Sequence, residues 1–148
     1  MKNQRRNRRR RGQAGVTLIE MLVVVVIIGL FVALVAPGMF KRADMAKVTA
    51  SRAQIEQLMT ALGTYKLDTG QFPSTEQGLQ ALRVKPGDGA MWNGPYLEKE
   101  VPKDPWGHDY VYTFPGQHGD GPDIISLGAD GQPGGEGVNA DIVSWKNN

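Results

Sequence analysis

The fold is decided by residues 15–41, which read GVTLIEMLVVVVIIGLFVALVAPGMFK. From Val16 to Ala36 the only strongly polar side chains are those of Thr17 and Glu20. As an α-helix this stretch would be about 31 Å long, which matches the roughly 30 Å hydrocarbon core of a bilayer. The sequence therefore predicts a helix that can span a membrane.

Basic residues are concentrated before this helix. Seven of the 17 Lys and Arg residues precede Gly15, where no acidic residue occurs, and the rest of the chain carries a net charge of −5. The positive-inside rule places the N-terminus in the cytoplasm and the chain after Lys41 across the membrane. A basic run such as residues 8–11 can bind nucleic acid, but a run that adjoins a long apolar segment favours membrane topology. We expect no nucleic-acid partner.

The small residues Ala14 and Gly15 come before the apolar segment. A secretory signal peptide has its small-residue cleavage site after the apolar region, so the order here is reversed. Cleavage after Gly15 would remove residues 1–15 as a basic leader and leave residues 16–40 as the hydrophobic helix of the mature chain. Residues 41–148 would then form a domain outside the cytoplasm, in the periplasm of a bacterium with two membranes.

Beyond the predicted span, apolar residues recur at intervals of three, four and seven, which is typical of an amphipathic helix. The members of this stripe are Val48, Ile55, Leu58, Met59, Leu62 and Tyr65. No loop signal separates the stripe from the span. We therefore predict one long helix to about Asp68, with a kink or a local melt at Pro37 and Gly38.

A smaller region after the long helix must cover this stripe. Ser74 and Gln77 have the spacing of a capping box ahead of a short helix that carries Leu79 and Leu82. Residues 104–107, Asp-Pro-Trp-Gly, have the composition of a tight turn whose Trp can pack over the stripe. We expect a structural role for both segments.

Two short strands follow from the alternation of side chains. Residues 110–114 alternate aromatic and smaller residues, and residues 123–127 form a second strand candidate across a Gly-rich turn. Ile142, Val143 and Trp145 are expected to return to the core. The predicted class is α+β, with a long N-terminal α-helix packed on a short helix and a small antiparallel β-sheet.

Composition narrows the classes of function. With 148 residues, of which 41% are hydrophobic, the chain has room for one modest domain. It has no Cys, so it has neither disulfides nor a thiol nucleophile. Catalytic triads, phosphate-binding loops and paired-carboxylate motifs are not evident. His108 and His118 are isolated and are expected to be surface turn residues.

The segment Gly15-Val16-Thr17-Leu18-Ile19-Glu20, followed by an apolar run, resembles the processing signal of type IV pilins and pseudopilins. Three later segments resemble the major pseudopilins of bacterial type II secretion: residues 75–82, residues 104–107 with Tyr110, and residues 126–131. The resemblance covers residues 12–145. Ordinary type IV pilins share the first helix but carry a different C-terminal region, often closed by a disulfide. The absence of Cys agrees with the pseudopilins.

The resemblance implies a processing pathway. In that family a membrane-embedded aspartyl peptidase cuts after the Gly, here Gly15, and methylates the new N-terminal amine, here that of Val16. A residue without a side chain lets the peptidase approach the backbone closely. The family's Glu, here Glu20, neutralises the N-terminal amine of a neighbouring subunit during assembly. The alternative for Glu20 is that it lies one turn from the new terminus and reaches interfacial water.

The resemblance also implies the function and the partners. The expected function is that of a non-enzymatic major subunit of a periplasmic pseudopilus, which polymerises to help drive folded proteins across the outer membrane. The expected partners are the chain itself in a homopolymeric filament, minor pseudopilins, a prepilin peptidase and methyltransferase, an inner-membrane assembly platform with a cytoplasmic ATPase, and membrane lipid before assembly. Before assembly the subunit would lie in the bacterial inner membrane as a single-pass protein.

One structural calcium ion in a C-terminal loop is a further implication of the resemblance. The matching positions are Asp130 and Asp141 as carboxylate donors, the carbonyls of Leu127 and Val138, and Asn139. Calcium takes six to eight oxygen ligands. One carboxylate of some relatives is missing, because Ala140 precedes Asp141. Asn139, or less readily Glu136, would have to substitute for it.

Without the resemblance the same loop has a simpler interpretation. The dipeptide Asp130-Gly131 is most often just a turn. The spacing from Asp130 to Asp141 equals that between the ends of an EF-hand loop, but Gln132 and Gly134 stand in place of its oxygen donors. The calcium ion is therefore an expectation from the family and not from the spacing.

Two rival functions remain open at this point. A type IV or competence pilin would build a surface fibre, although the matches at residues 104–107 and 126–131 argue against it. A signal-anchored periplasmic enzyme would need a catalytic motif, and the chain offers only dispersed Asp and His residues.

Overall fold

A computed structural model describes residues 15–87 and 91–146. The element order is helix α1, a short 3-10 helix, strands β1 and β2, a second 3-10 helix and strand β3. Their bounds are α1 Leu18–Thr69, 3-10 helix Leu79–Leu82, β1 Val111–Thr113, β2 Asp123–Ser126, 3-10 helix Gly137–Asn139 and β3 Ile142–Val143. The predicted α+β class with a long first helix is confirmed. The leader residues 1–14 lie outside the described residues.

Helix α1 begins where the apolar sequence begins. The backbone N–H of Glu20 donates to Thr17 Oγ1 at 3.2 Å, so Thr17 satisfies one of the free amides at the N-terminus. The helix stays α-helical through Pro37 and Gly38 and ends at Thr69, close to the predicted end. The local melt expected at Pro37 is not observed, because a proline removes one backbone hydrogen bond while the neighbouring bonds of the ladder can persist.

The described residues divide into two compact units, with the boundary between residues 39 and 40. In the first unit, the stretch Leu18–Val35 of α1 has a mean hydropathy of 3.1 and no buried residue. It is long and apolar enough to cross a membrane, as the sequence predicts.

The core of the second unit forms around the predicted apolar stripe of α1. Leu58 and Leu62 are almost completely inaccessible to solvent, and Ile55 and Tyr65 are also buried. The side chains that complete this core come from the shorter elements and include Leu79, Leu82, Tyr110, Tyr112, Ile124 and Ile142. Trp106 packs against the same core, as predicted for the tight turn.

The capping box is present, but the helix after it is a short 3-10 helix and not an α-helix. Ser74 and Gln77 exchange two hydrogen bonds, from Ser74 N to Gln77 Oε1 at 2.9 Å and from Gln77 N to Ser74 Oγ at 3.2 Å. Gly78 then has a φ of 58°, which is not helical. The box therefore closes a turn, and the four residues Leu79–Leu82 form a 3-10 helix after it.

The sheet has three antiparallel strands in the order β1-β2-β3. Tyr112 pairs with Ile124 between the first two strands, and Ser126 pairs with Ile142 between the second and third. The return of Ile142 to the core is confirmed, and it takes the form of a strand of two residues. This short strand brings the end of the chain beside the segment that precedes the predicted calcium loop.

Candidate functional site

The processing segment lies directly before α1. Gly15 and Val16 are exposed, and so is Glu20 in the first turn of the helix. Among the described residues no basic side chain pairs with the Glu20 carboxylate. The large apolar side chains around it, such as Leu18 and Ile19, are exposed as well. This part of the molecule therefore presents one carboxylate on an otherwise apolar helix.

A turn around Asp104 forms the second region of interest. The Gly107 N–H donates to the Asp104 carbonyl at 2.9 Å, and Gly107 has a φ of 95°, as the Asp-Pro-Trp-Gly sequence predicts. The Asp104 side chain is completely buried. Its Oδ1 accepts hydrogen bonds from the Trp106 N–H at 3.1 Å and the His108 N–H at 2.8 Å. Its Oδ2 accepts the hydroxyl of Ser126 at 2.7 Å.

His108 follows this turn and contacts the C-terminal loop. Its Nδ1 lies 3.1 Å from the carbonyl oxygen of Gly128 and 3.7 Å from Asp104 Oδ2. Both neighbours are acceptors, so Nδ1 carries the proton and donates it to Gly128 O. The prediction of a surface turn residue missed this contact, since no motif links positions 20 residues apart in the chain.

The C-terminal loop, residues 127–141, closes on itself through backbone hydrogen bonds. Ala129 N–H donates to Val138 O at 2.9 Å, and Asp141 N–H donates to Gly134 O at 3.1 Å. A Cβ on Gly128 would lie 2.9 Å from Val138 O, and Gly128 has a φ of 66°. A side chain at that position would both strain the backbone and separate the two arms of the loop.

The predicted calcium ligands all belong to this loop. Asp141 Oδ2 accepts the Gly134 N–H at 2.9 Å, whereas Asp141 Oδ1 is buried and no donor of the described residues reaches it. A buried carboxylate oxygen without a partner is costly unless a cation or water compensates it. Asp130 Oδ1 accepts the Gln132 N–H at 3.1 Å and the residue is exposed.

The donor set of the loop is consistent with calcium. No three His, Asp or Glu side chains cluster as metal ligands within the described parts of the chain. A cation held here would therefore depend on backbone carbonyls and an amide oxygen as well as the two carboxylates. Such oxygen-rich, carbonyl-containing sets suit calcium. The residues present fit the ion that the resemblance implies.

The second histidine also makes specific contacts. His118 stacks on Trp145 with ring centroids 3.7 Å apart and its Nδ1 lies 2.9 Å from Asp123 Oδ2. Asp123 Oδ2 also accepts the Gln117 N–H at 2.8 Å. His118 therefore ties the β1-β2 turn to the C-terminal segment. It makes none of the contacts with the loop that His108 makes.

Two tyrosines at β1 donate hydrogen bonds to earlier parts of the chain, one to the segment after α1 and one to α1 itself. The Tyr112 hydroxyl donates to Pro73 O at 2.8 Å, and the Tyr110 hydroxyl donates to Gln54 Oε1 at 2.6 Å. Burial raises the pKa of both phenols. Protonated phenols at these positions act as hydrogen-bond donors within the core.

An exposed apolar helix begins within the Gly-Val-Thr-Leu-Ile-Glu segment, and the same chain forms a small α+β unit. This combination defines the pilin-like class of subunits. Residues 38–145 match the family "Type II secretion system (T2SS), protein G", and residues 10–36 match the "Prokaryotic N-terminal methylation motif". The chain belongs to the type II secretion system protein G family, the pseudopilins.

Individual relatives agree with this assignment. The chain is 48% identical to the type II secretion system core protein G of Pseudomonas aeruginosa, over 93% of this chain and 99% of the relative. It is 46% identical to that of Vibrio cholerae, over 91% and 93%. The fold is similar to the crystal structure of the major pseudopilin from the type 2 secretion system of enterohaemorrhagic Escherichia coli. That comparison has a TM-score of 0.62 and 36% identity, and covers 74% of this chain and 95% of the other.

The family establishes the general function. The chain is a structural pseudopilin of a type II secretion system, and the predicted fold and the resemblance to the major pseudopilins are confirmed. These matches favour the secretion subunit over a surface-fibre pilin. The methylation motif implies processing by a prepilin peptidase and assembly into a pseudopilus, and the apolar helix fits anchoring in a membrane.

Proposed function

We propose that the chain is cut after Gly15, methylated at Val16 and assembled as the major subunit of a periplasmic pseudopilus. Residues 1–15 are the leader, residues 16–40 the membrane and filament helix, and residues 41–148 the periplasmic domain. The observation that carries this proposal is the exposed apolar stretch Leu18–Val35, which begins three residues after Gly15. The N-terminus faces the cytoplasm before assembly, in accordance with the basic leader.

Assembly replaces lipid around the apolar stretch by helices of other copies. A helix that is apolar on all sides is stable in lipid and equally in the core of a helical bundle. Copies related by a contact between different surfaces of each subunit form an open filament when the rotation between them does not close into a ring. Elongation of such a filament, powered by the ATPase of an inner-membrane assembly platform, pushes folded proteins outward. Minor pseudopilins share the filament, and the subunit itself performs no catalysis.

Glu20 gives the assembly its register. A carboxylate within a membrane helix costs about 2.5–3.5 kcal/mol at the centre of the span and normally has a partner. The amine of Val16 in a neighbouring copy is a cation at the same depth. Pairing of the two charges favours the one axial offset at which they meet.

The C-terminal loop holds one calcium ion. Asp141 Oδ1, Asp130, Asn139 and the carbonyls of Leu127 and Val138 supply the oxygens. The support for this assignment is the buried, unpartnered Oδ1 of Asp141 and the polar, Gly-rich composition of the loop. The ion would supply the attraction that orders a loop unable to fold by apolar burial.

Processing is tested by intact mass and N-terminal sequencing of the chain expressed with and without a prepilin peptidase. The expected product begins at Val16 and carries one added methyl group. Gly15→Val should block cleavage, while Gly29→Val is the matched control, because nothing lies within 4 Å of a Cβ at Gly29. A wild-type chain that stays uncut with the peptidase, or is cut after Ala36, would overturn the proposed pathway.

The role of Glu20 is tested by replacing its charge alone. Glu20→Gln should be processed normally but form far fewer filaments in an assembly assay with the secretion machinery. Glu56→Gln is the control, since Glu56 is an exposed acidic residue elsewhere on α1. Equal filament yields from the two variants would refute the pairing of Glu20 with the neighbouring amine.

A further inference from the structure

Two side-chain hydrogen bonds hold the residues on either side of Leu127. Ser126 donates its hydroxyl to Asp104 Oδ2 at 2.7 Å, and Gly128 accepts from His108 Nδ1 at 3.1 Å. Both partners belong to the turn formed by residues 104–108. Leu127, whose carbonyl is one of the proposed calcium donors, therefore lies between two anchored neighbours.

The turn is rigid enough to serve as the anchor. Asp104 is buried, and its Oδ1 accepts the N–H groups of Trp106 and His108. The backbone bond from Asp104 N to His108 O, at 2.8 Å, closes the same turn. A carboxylate that accepts several N–H and O–H groups fixes their relative positions through charge-assisted hydrogen bonds. The backbone of His108 is thus held before its ring reaches the loop.

The ring of His108 also lies against Gly131, three residues after Gly128 in the loop. A Cβ on Gly131 would lie 3.1 Å from His108 Nε2, so the imidazole packs closely over Gly131. The side chain of His108 is 37% exposed, so it is a surface residue in part and not a core residue. It contacts Gly128, which follows Leu127, and Gly131, which follows Asp130.

We propose that His108, held by Asp104, is a positioning residue for the cation site. It orients the Leu127 carbonyl and the Gly128–Gly131 segment before the ion arrives. This inference rests on the calcium binding proposed above. A preorganised set of oxygens binds more tightly because less conformational entropy is lost on binding. Residues that orient metal ligands typically change metal affinity by about 10–100-fold when they are replaced.

The test uses substitutions that separate the two ring nitrogens. His108→Ala removes both contacts, His108→Asn places an amide N–H near the position of Nδ1, and His108→Gln places one near that of Nε2. His118→Ala is the matched control, because its contacts are with Asp123 and Trp145. Calcium affinity is measured by titration calorimetry on the full chain in detergent micelles. Amide hydrogen exchange of Ala129 is measured on the same chains without metal.

The expected affinity of His108→Ala for calcium is about tenfold weaker than that of the wild type. We expect His108→Asn to restore most of the affinity and His108→Gln to restore little. Ala129, whose N–H donates to Val138 O, should exchange faster in His108→Ala and return toward the wild-type rate in His108→Asn. Equal affinities and equal Ala129 exchange in His108→Ala, His118→Ala and wild type would overturn the inference.

The two proposals fail in different ways. If the wild-type chain bound no calcium, the calcium proposal would be wrong and with it the role of His108 toward the ion, whatever the exchange rates. If the wild type bound calcium and His108→Ala bound it equally well, the positioning role alone would be wrong. Weaker binding by both His108→Ala and His108→Asn, with unchanged Ala129 exchange, would also count against positioning through the Gly128 bond.

Discussion

The two ends of helix α1 have the same backbone and opposite surroundings. Within Leu18–Val35 no residue is buried, although almost every side chain is apolar. In residues 51–65, one face is buried, with Leu62 0% exposed, and the other face carries exposed polar residues such as Gln57. The first stretch is apolar all round and the second only on one side.

This difference shows that, among the described residues, only the second stretch of the helix is covered by other side chains. The second stretch is stabilised by side chains of the same chain, since about 25 cal/mol is gained per Å² of apolar surface removed from water. The first stretch gains nothing of this kind from the described residues, since none of its own residues is buried. Secondary structure alone therefore says little about where the stability of each stretch comes from.

The largest expected effect is a loss of stability that depends on the stretch that is mutated. Leu62→Ala should lower the free energy of unfolding of the second unit by about 2–5 kcal/mol, because it leaves a cavity in a packed core. Leu34→Ala, at a side chain that is 79% exposed, should leave it unchanged. Urea titration in detergent, followed by tryptophan fluorescence, measures both. Equal effects would break the comparison between the two stretches.

A charge introduced into α1 should be costly in the first stretch and tolerated in the second. Val26→Arg places a guanidinium near the middle of the apolar stretch and should weaken membrane insertion by about 2.5–3.5 kcal/mol. Gln57→Arg, at an exposed position of the second stretch, should insert as the wild type does. The measurement is the fraction of chain that resists alkaline extraction from membranes. A Val26→Arg chain as resistant to extraction as Gln57→Arg would contradict the expected difference between the two stretches.

Calcium should stabilise the second unit and leave insertion unaffected. A ligand at about 100 times its dissociation constant stabilises the folded state by about 2.7 kcal/mol. Adding a chelator should therefore lower the thermal midpoint of the wild type. Asp141→Asn should have a midpoint that barely responds to calcium. A wild-type midpoint that ignored both calcium and chelator would contradict the proposed site.

The smallest effect concerns the hydrogen bond from Tyr112 in β1 to Pro73 in the segment after α1. Tyr112→Phe should cost about 1 kcal/mol at neutral pH, since Pro73 O loses its donor. Burial raises the pKa of Tyr112 above its ordinary value of 10.0. Above about pH 10 the unfolded chain releases this proton while the folded chain keeps it, so stability falls as the pH rises. Below that pH this contribution to stability is complete.

The same urea titrations, repeated at about pH 9 and about pH 11, measure this dependence. Tyr112→Phe should lose less stability over the interval than the wild type. Buried Tyr110, whose pKa is also raised, contributes its own part of the slope in both chains. Identical slopes for the two chains would show that Tyr112 does not supply the expected share.

The sequence allowed α1 and two of the strands to be predicted because their signals are local. The apolar stripe of α1 and the alternation in β1 repeat at the period of the element itself. Strand β3, with only Ile142 and Val143, is too short to show any period and exists because it pairs with β2. The capping box of Ser74 and Gln77 could also be predicted from the sequence, although the conformation of Gly78 prevents an α-helix from starting there.

The features of the C-terminal loop could be predicted from the sequence only in part. Its polar, Gly-rich composition and the two carboxylates Asp130 and Asp141 are visible in the sequence. The contact of His108 with Gly128 and the burial of Asp141 Oδ1 are not, because they depend on how residues far apart in the chain are brought together. Asp104, at the first position of the tight turn, is the residue type that could have indicated a carboxylate accepting N–H groups there.

The sequence by itself determined the apolar helix after Gly15, the amphipathic continuation of that helix and the family to which the chain belongs. These features depend on residue type and short spacing, which a linear sequence displays directly. Only the tertiary structure decided that Asp104 and His108 hold the residues on either side of Leu127. A hydrogen bond requires two groups within about 3 Å in a suitable orientation. The antiparallel pairing of β1 with β2, in which Val111 lies opposite Ile125, is what brings the residues before β1 close to those after β2.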